Sequence, residues 1–407
     1  MSKMSSEKVM NRWIVVIGAI LIQLALGTIY SWGTMTIFVS PYLSQPPEVT
    51  VYVFGVGLLA FAITMIFAGK LQQQYGPKKI AMLGAILMAG GVIASSLMTT
   101  LLGLLLTYGI LFGMGIGFGY VCPIACANKW FPDKKGLING IAVAGFGAGA
   151  FIFNFLIRIF AAISIPVMFI LLGIIYFVLI FVGAMTLNNP PEGWMPEGWT
   201  PPSPSKESGA SGKDYARVET VKFPQFWMLW AMFILSAISG LMVIGSFAAF
   251  SRSDPSYVIA TSDFVLIGSL AALFNGAGRI FWGKLADVLY YKKAMILMFS
   301  IQAVLMLIYF TTNASVIFFL IITCAIFFCF GGNFSLFPTA TADLFGSKNL
   351  GENYGIVFTG YGVAGFIGAV GVNIIVLAFG SYLLLFIVMG IMSILAAILA
   401  FIIKPPK

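Results

Sequence analysis

One arginine stands inside a long apolar run, FVLIGSLAALFNGAGRIFW. It is Arg279, and Asn275 precedes it by four residues. On a helix that spacing puts both side chains on one face. A guanidinium within hydrocarbon costs about 2.5 kcal/mol at the least, so some interaction must offset it. Two readings stand. The planar fork of Arg279 could take a carboxylate bidentately, with Asn275 orienting the guanidinium or bonding the acid. Alternatively Arg279 could snorkel, because Gly283 and Lys284 lie about one turn away.

The other candidates are aromatic or amide side chains. Tyr120, Phe334, Phe358 and Tyr382 could wall a small organic acid, and the Tyr361 hydroxyl could bond it; each could equally be packing. Asn154 and Arg158 also stand four apart, with Arg158 near the end of its run, where snorkelling is the plain reading. Asn333 and Asn373 either line a cavity or bond between helices. The chain has no histidine, and Cys122, Cys126, Cys324 and Cys329 all lie in apolar runs. They read as buried free thiols. No metal and no cofactor are expected. Gly278, Gly283 and Lys284 give most of a phosphate-loop pattern, but Leu285 replaces the hydroxyl residue and no strand precedes it. No nucleophile or pair of acids occupies the apolar runs, so a membrane enzyme is not expected.

The elements that must position these residues follow from composition. The chain has 407 residues, 60% hydrophobic and only 9% charged, with a mean hydropathy of +1.02. Soluble domains carry about 25% charged residues, so the bilayer is the expected solvent. Long continuous runs such as Ile14–Tyr30 and Ala294–Phe310 fit helices rather than the alternating strands of a barrel. Twelve spans are expected, at about 13–38, 51–71, 80–98, 101–127, 137–160, 164–186, 225–250, 258–283, 293–311, 316–338, 355–379 and 382–403. No cleavable leader is expected, since Asn11-Arg12-Trp13 runs straight into the first span.

The net charge of +9 sits in short loops. With the N-terminus inside, 19 of 22 Lys and Arg fall on the cytoplasmic side, and Arg158, Arg252 and Arg279 are the remainder. That pattern predicts cytoplasmic termini and argues against nucleic-acid binding. Residues 187–224, rich in Pro, Gly and Ser, read as a cytoplasmic linker between an N-terminal half, 1–186, and a C-terminal half, 225–407. Its PEGW repeat either docks on helix ends or is plain tether.

An internal repeat fixes the architecture. Gly69-Lys70-Leu71 with Lys78-Lys79 recurs as Gly283-Lys284-Leu285 with Lys292-Lys293, shifted by 214 residues. GIAVAGFGAGAFI, from Gly140, recurs as GIVFTGYGVAGFI, from Gly355, shifted by 215. Equal loops at equal places require an even number of spans per half, and six fits. The expected fold is an all-α membrane protein of twelve transmembrane helices in two parallel six-helix repeats, the major facilitator arrangement.

Specific residues carry a resemblance to that superfamily. Gly283-Lys284-Leu285-Ala286-Asp287 is similar to its Gly-x-Leu-x-Asp loop, although the first copy has Gln73 in place of the acid. Five segments resemble the oxalate/formate exchanger branch and the related monocarboxylate transporters, over nearly the whole chain. They are Tyr30-Ser31-Trp32, the stretch NKWFPDKKGL from Asn128, Pro224-Gln225-Phe226-Trp227, Leu273-Phe274-Asn275-Gly276 with Arg279, and Asn353-Tyr354-Gly355. The resemblance implies that Arg279 holds the substrate anion. It also implies a lysine where this chain has Tyr361, and, in the animal carriers, an acid where it has Asn275. One cation then remains for one carboxylate. The resemblance thus implies secondary transport of a lactate- or pyruvate-like acid, proton-coupled and by alternating access, with oxalate/formate-type exchange as the alternative. Asp263 lies 16 residues from Arg279, about 24 Å of helix, too far for direct charge exchange. The expected partners are a small organic anion, protons and the lipid of a cell membrane, with the chain a monomer.

Overall fold

In the computed structural model, residues 10–191, 194–198, 214–253, 261–346 and 349–406 are described. They form twelve helices long and apolar enough to cross a bilayer. These are α1 (Arg12–Tyr42), α2 (Pro47–Tyr75), α3 (Pro77–Ser95), α4 (Leu101–Trp130), α5 (Gly140–Ala161) and α6 (Ile165–Met185) in the first half. The second half has α7 (Pro224–Arg252), α8 (Ser262–Leu289), α9 (Tyr291–Thr312), α10 (Val316–Phe345), α11 (Leu350–Phe379) and α12 (Tyr382–Ile402). An even number of crossings puts both termini on one side of the bilayer, called here the terminal side; the other is the far side.

Helices suit this solvent because each satisfies its own backbone. Their starts are marked locally. Proline opens α2, α3 and α7, where its missing N–H costs nothing. Thr100, Ser164, Ser315 and Ser381 cap α4, α6, α10 and α12 through their hydroxyls. Gly380, at φ 62°, ends α11 two residues before α12 begins. Several helices run past their apolar stretch. α2 continues through Gln72–Tyr75 until Gly76, at φ 86°, where only glycine is unstrained.

Three helices are irregular along their length. α1 tightens to a 3-10 segment at Gly27–Ser31, α4 widens to a π segment at Leu105–Phe112, and α11 breaks at Phe358. The segment between halves is tied at both ends. The Trp194 ring meets Trp130 of α4 edge-on at 4.8 Å, and Trp130 Nε1 donates to Asn188 O at 2.7 Å. Tyr215 N donates to Phe345 O, and Asn349 and Asn353 both donate to Tyr215 O. So the first PEGW tryptophan docks; the second lies outside the described residues.

The halves meet along α5–α8 and α2–α11. Apolar contact earns little between helices already in lipid, so such seams rely on small residues and close approach. A Cβ on Gly55 would lie 2.7 Å from Ala369, and one on Gly362 would strike Ala62 at 2.5 Å. A Cβ on Gly268 would lie 3.0 Å from Thr34 Oγ1. At the far end, Tyr382 donates to Glu48 Oε1 at 2.8 Å and Asn373 to Glu48 O at 3.3 Å, both between halves. Toward the terminal side, Gly69, Gly140, Gly351 and Gly355 have open space around them. On the far side the seam is bridged by these bonds to Glu48, and a cavity of about 210 Å³ lies between α1 and α7 there.

Candidate functional site

Arg279 is 2% exposed and Asn275 is fully buried, at the point where α8 crosses α5. Glycines bring them there. Gly331 of α10 lies directly on the α8 backbone between Asn275 and Arg279. On the other side, a Cβ at Gly147 of α5 would sit 2.9 Å from Asn275 Oδ1 and from Gly276 N. Arg279 Nε donates to Asn275 Oδ1 at 3.1 Å, and one terminal nitrogen donates to Val143 O of α5 at 3.0 Å. Arginine has no acceptor, so the amide oxygen must face it and the amide nitrogen must point away.

That leaves two buried donors, Arg279 Nη2 and Asn275 Nδ2, with no acceptor at full hydrogen-bond geometry, while the Tyr30 and Tyr120 hydroxyls stand close enough to interact with the guanidinium. Leaving a buried donor unpaired costs about 1–3 kcal/mol, and more where it is charged. Among the described residues no carboxylate pairs with Arg279. An ion pair of Arg12 with Asp133, at 2.7 Å, lies at the terminal end.

Aromatic rings enclose the guanidinium. Its carbon lies 4.1 Å from the Phe334 ring centre and 5.4 Å from that of Phe146, close enough for cation–π attraction. Tyr120 meets Phe146 at 5.2 Å and Phe358 at 5.9 Å. Tyr361 meets Phe358 at 5.0 Å and Phe334 at 5.3 Å. Its hydroxyl pairs with that of Tyr30 at 3.1 Å, joining α11 to α1 across the halves. Tyr30 and Tyr120 both interact with the Arg279 charge.

Six of the seven sequence candidates therefore come together: Arg279, Asn275, Tyr361, Tyr120, Phe334 and Phe358. Tyr382 does not. It begins α12, at the membrane boundary, where its ring packs on Phe250 at 5.4 Å and its hydroxyl bonds Glu48. Of the remaining polar residues, Asn373 donates to Glu48 O and Arg158 is exposed. Asn333 accepts from Ser236 inside the second half. Asn154 is buried with its Oδ1 unpartnered. The four cysteines are free and buried.

Sequence reasoning missed Tyr30 and the Val143 carbonyl as parts of the site. A hydroxyl within the first apolar run was the available signal for Tyr30; nothing in a side-chain pattern marks a carbonyl. The repeat also maps the site unevenly. At the 214-residue shift, Phe61 corresponds to Asn275 and Met65 to Arg279; at 215, Phe146 corresponds to Tyr361. Phe61 packs 6.0 Å from Tyr361, as an apolar counterpart of the polar pair. One half thus supplies the cation and amide, and the other mostly rings.

Comparison with known proteins agrees with this architecture. A sequence profile of the Major Facilitator Superfamily matches residues 15–264 and again 255–407. The uncharacterized MFS-type transporter YhjX of Escherichia coli is 32% identical, over 87% of this chain and 85% of its own. Apicoplast pyruvate carrier 1 of Toxoplasma gondii is 26% identical, over 88% and 82%. The oxalate:formate antiporter of Oxalobacter formigenes is 28% identical, over 88% and 83%.

Proposed function

The chain belongs to the Major Facilitator Superfamily and is a multi-pass membrane transporter, and we propose that its cargo is a small monocarboxylate of the lactate or pyruvate kind. The observation that carries this reading is the pair of buried, unpartnered donors, Arg279 Nη2 and Asn275 Nδ2, beside a cation with no protein anion. A carboxylate supplies the missing acceptors and the missing charge together. One arginine matches one carboxylate, and rings such as Phe334 and Phe358 suit a short apolar tail. Relatives named for carrying pyruvate and for exchanging oxalate with formate support a small carboxylate as cargo.

The proposed mechanism is alternating access. The halves rock about the layer that holds Arg279, which faces one side and then the other. Binding turns an unpaired guanidinium into a neutral pair, which lowers the cost of closing around it. The Tyr30–Tyr361 bond and the Glu48 bonds to Asn373 and Tyr382 belong to the far-closed conformer and break when the far side opens. The lysine and arginine distribution supports a terminal side that faces the cytoplasm, in a cell membrane. Proton symport, as in the monocarboxylate carriers resembled, is the coupling proposed. Exchange of anions is the second reading. It is favoured by the same unpaired Arg279, since an exchanger never returns empty.

Uptake of labelled L-lactate into proteoliposomes, with and without an inward proton gradient, separates these. Gradient-driven uptake that Arg279→Lys abolishes supports symport. No lactate uptake, with oxalate exchanging against internal formate, replaces it by the exchanger.

A further inference from the structure

An apolar groove of about 410 Å³ runs between α9 and α12, away from the seam between halves. Small residues, Ala303 and Ala397, line it together with Val304, Ile398 and Phe401, three large side chains that are all exposed. On α9 it extends from Ile296 to Leu307. The eleven steps between them rise about 16 Å along the helix, close to the depth of one leaflet of a roughly 30 Å hydrocarbon core.

The terminal end of this groove is cationic. Lys292 Nζ donates to Ile403 O at 2.9 Å and lies 5.8 Å from the Phe401 ring centre. That contact places the start of α9 against the end of α12. Lys293 and Lys404 flank it, both exposed. Among the described residues none of the three lysines forms an ion pair. The first half has lysines at the matching positions, Lys78 and Lys79, but no lysine follows α6 between Thr186 and Pro191. The constellation belongs to the second half alone.

A leaflet-deep apolar groove that ends at exposed cations has the polarity of an anionic phospholipid in reverse. We propose that it binds one: an acyl chain lies between α9 and α12, and the phosphate sits at Lys293 and Lys404. Lys292 is committed to the Ile403 carbonyl and anchors the mouth. A zwitterionic lipid can fill the same groove, but its head gains little from the two cations. Each lysine near an anionic head adds about fivefold, so the pair sets a preference of roughly 30-fold.

The test uses the purified full chain in detergent, titrated with phosphatidylglycerol, phosphatidylcholine or inorganic phosphate and read by native mass spectrometry and thermal unfolding. Phosphatidylglycerol is expected to bind and stabilise more than phosphatidylcholine. Lys293→Gln/Lys404→Gln is expected to erase that preference, and Ala397→Leu, which fills the groove, to weaken both lipids alike. Equal binding of the two lipids by the natural chain overturns the proposal. So does a preference that survives loss of both lysines, or phosphatidylglycerol binding untouched by Ala397→Leu. Inorganic phosphate stabilising as well as the lipid would make this a free-anion site. A lipid-free dimer disrupted by Ala397→Leu would give the groove to a second copy.

Discussion

Replacing Asn275 and Arg279 together, as Asn275→Leu/Arg279→Met, separates a functional charge from a structural one. The first half already carries apolar residues at both counterpart positions, Phe61 and Met65, and both are buried. Removing a buried cation from within a spanning helix recovers up to about 2.5–3.5 kcal/mol on insertion scales. The bond from Arg279 to Asn275 loses both partners at once, which is close to neutral. The bond to Val143 O is lost outright, at about 1.5–3 kcal/mol for a charged donor. The unliganded double variant is therefore expected to be as stable as the natural chain, or up to about 2 kcal/mol more stable. Arg279→Met alone strands the Asn275 oxygen and should be less stable than the double variant by about 1–3 kcal/mol. Function moves the other way. Two charge-assisted bonds to the acid disappear, so affinity falls by roughly two to four powers of ten. Thermal unfolding in detergent, with and without L-lactate, reads both quantities. A double variant clearly less stable than the natural chain would make Arg279 a pin between α5 and α8. A double variant still stabilised by lactate would place the anion elsewhere.

The neighbouring elements yield further expectations. Gly147→Ala puts a Cβ against the Asn275 amide and the Gly276 backbone, which cannot yield, so α5 and α8 separate; uptake should fall at least about tenfold in a folded protein, and unchanged uptake would refute the geometry. Tyr361→Phe removes the hydroxyl bond to Tyr30 and should weaken binding about fivefold. Tyr30→Phe should add little to that variant, and fully additive losses in the double-mutant cycle would count against the bond. At the terminal end, desolvation raises the Asp133 carboxyl pKa, but bonds from Arg12 and the charges of Arg12 and Lys134 bring it below its ordinary value. Because the folded value is the lower one, the stabilisation is present above the unfolded value and is lost as pH falls through the folded one. The stability gap between the natural chain and Arg12→Gln should therefore hold above about pH 5 and narrow toward pH 3. A constant gap across that window would exclude the pair as its source.

Much of this was legible in the sequence, for identifiable reasons. Apolar runs give the spans, because hydrocarbon demands them, and the shift of 214 residues gives the halves. Arg279 and Asn275 stand out because their types are costly where they lie. Tyr382 misled because residue type was weighed without depth. It opens its span and so sits at the boundary, whereas Arg279 lies ten residues from the end of α8. The 3-10 segment at Gly27–Ser31 leaves no pattern of its own, yet it contains Tyr30, whose hydroxyl reaches Tyr361. The Val143 carbonyl is invisible for a plainer reason, since every residue has one.

The uneven repeat has a consequence for how such chains diversify. A duplicated six-helix unit starts with two equivalent copies of each position, and here the charge-bearing face is kept in only one of them. The other copy is released from holding an acid and is free to vary what surrounds it. On the proposed reading, changes at Phe61, Tyr120 or Phe146, all in the first half, reshape the room around the acid without touching Arg279. If the cargo is the acid proposed, new preferences among acids can therefore arise by drift in the surrounding rings, one at a time, while Arg279 is kept.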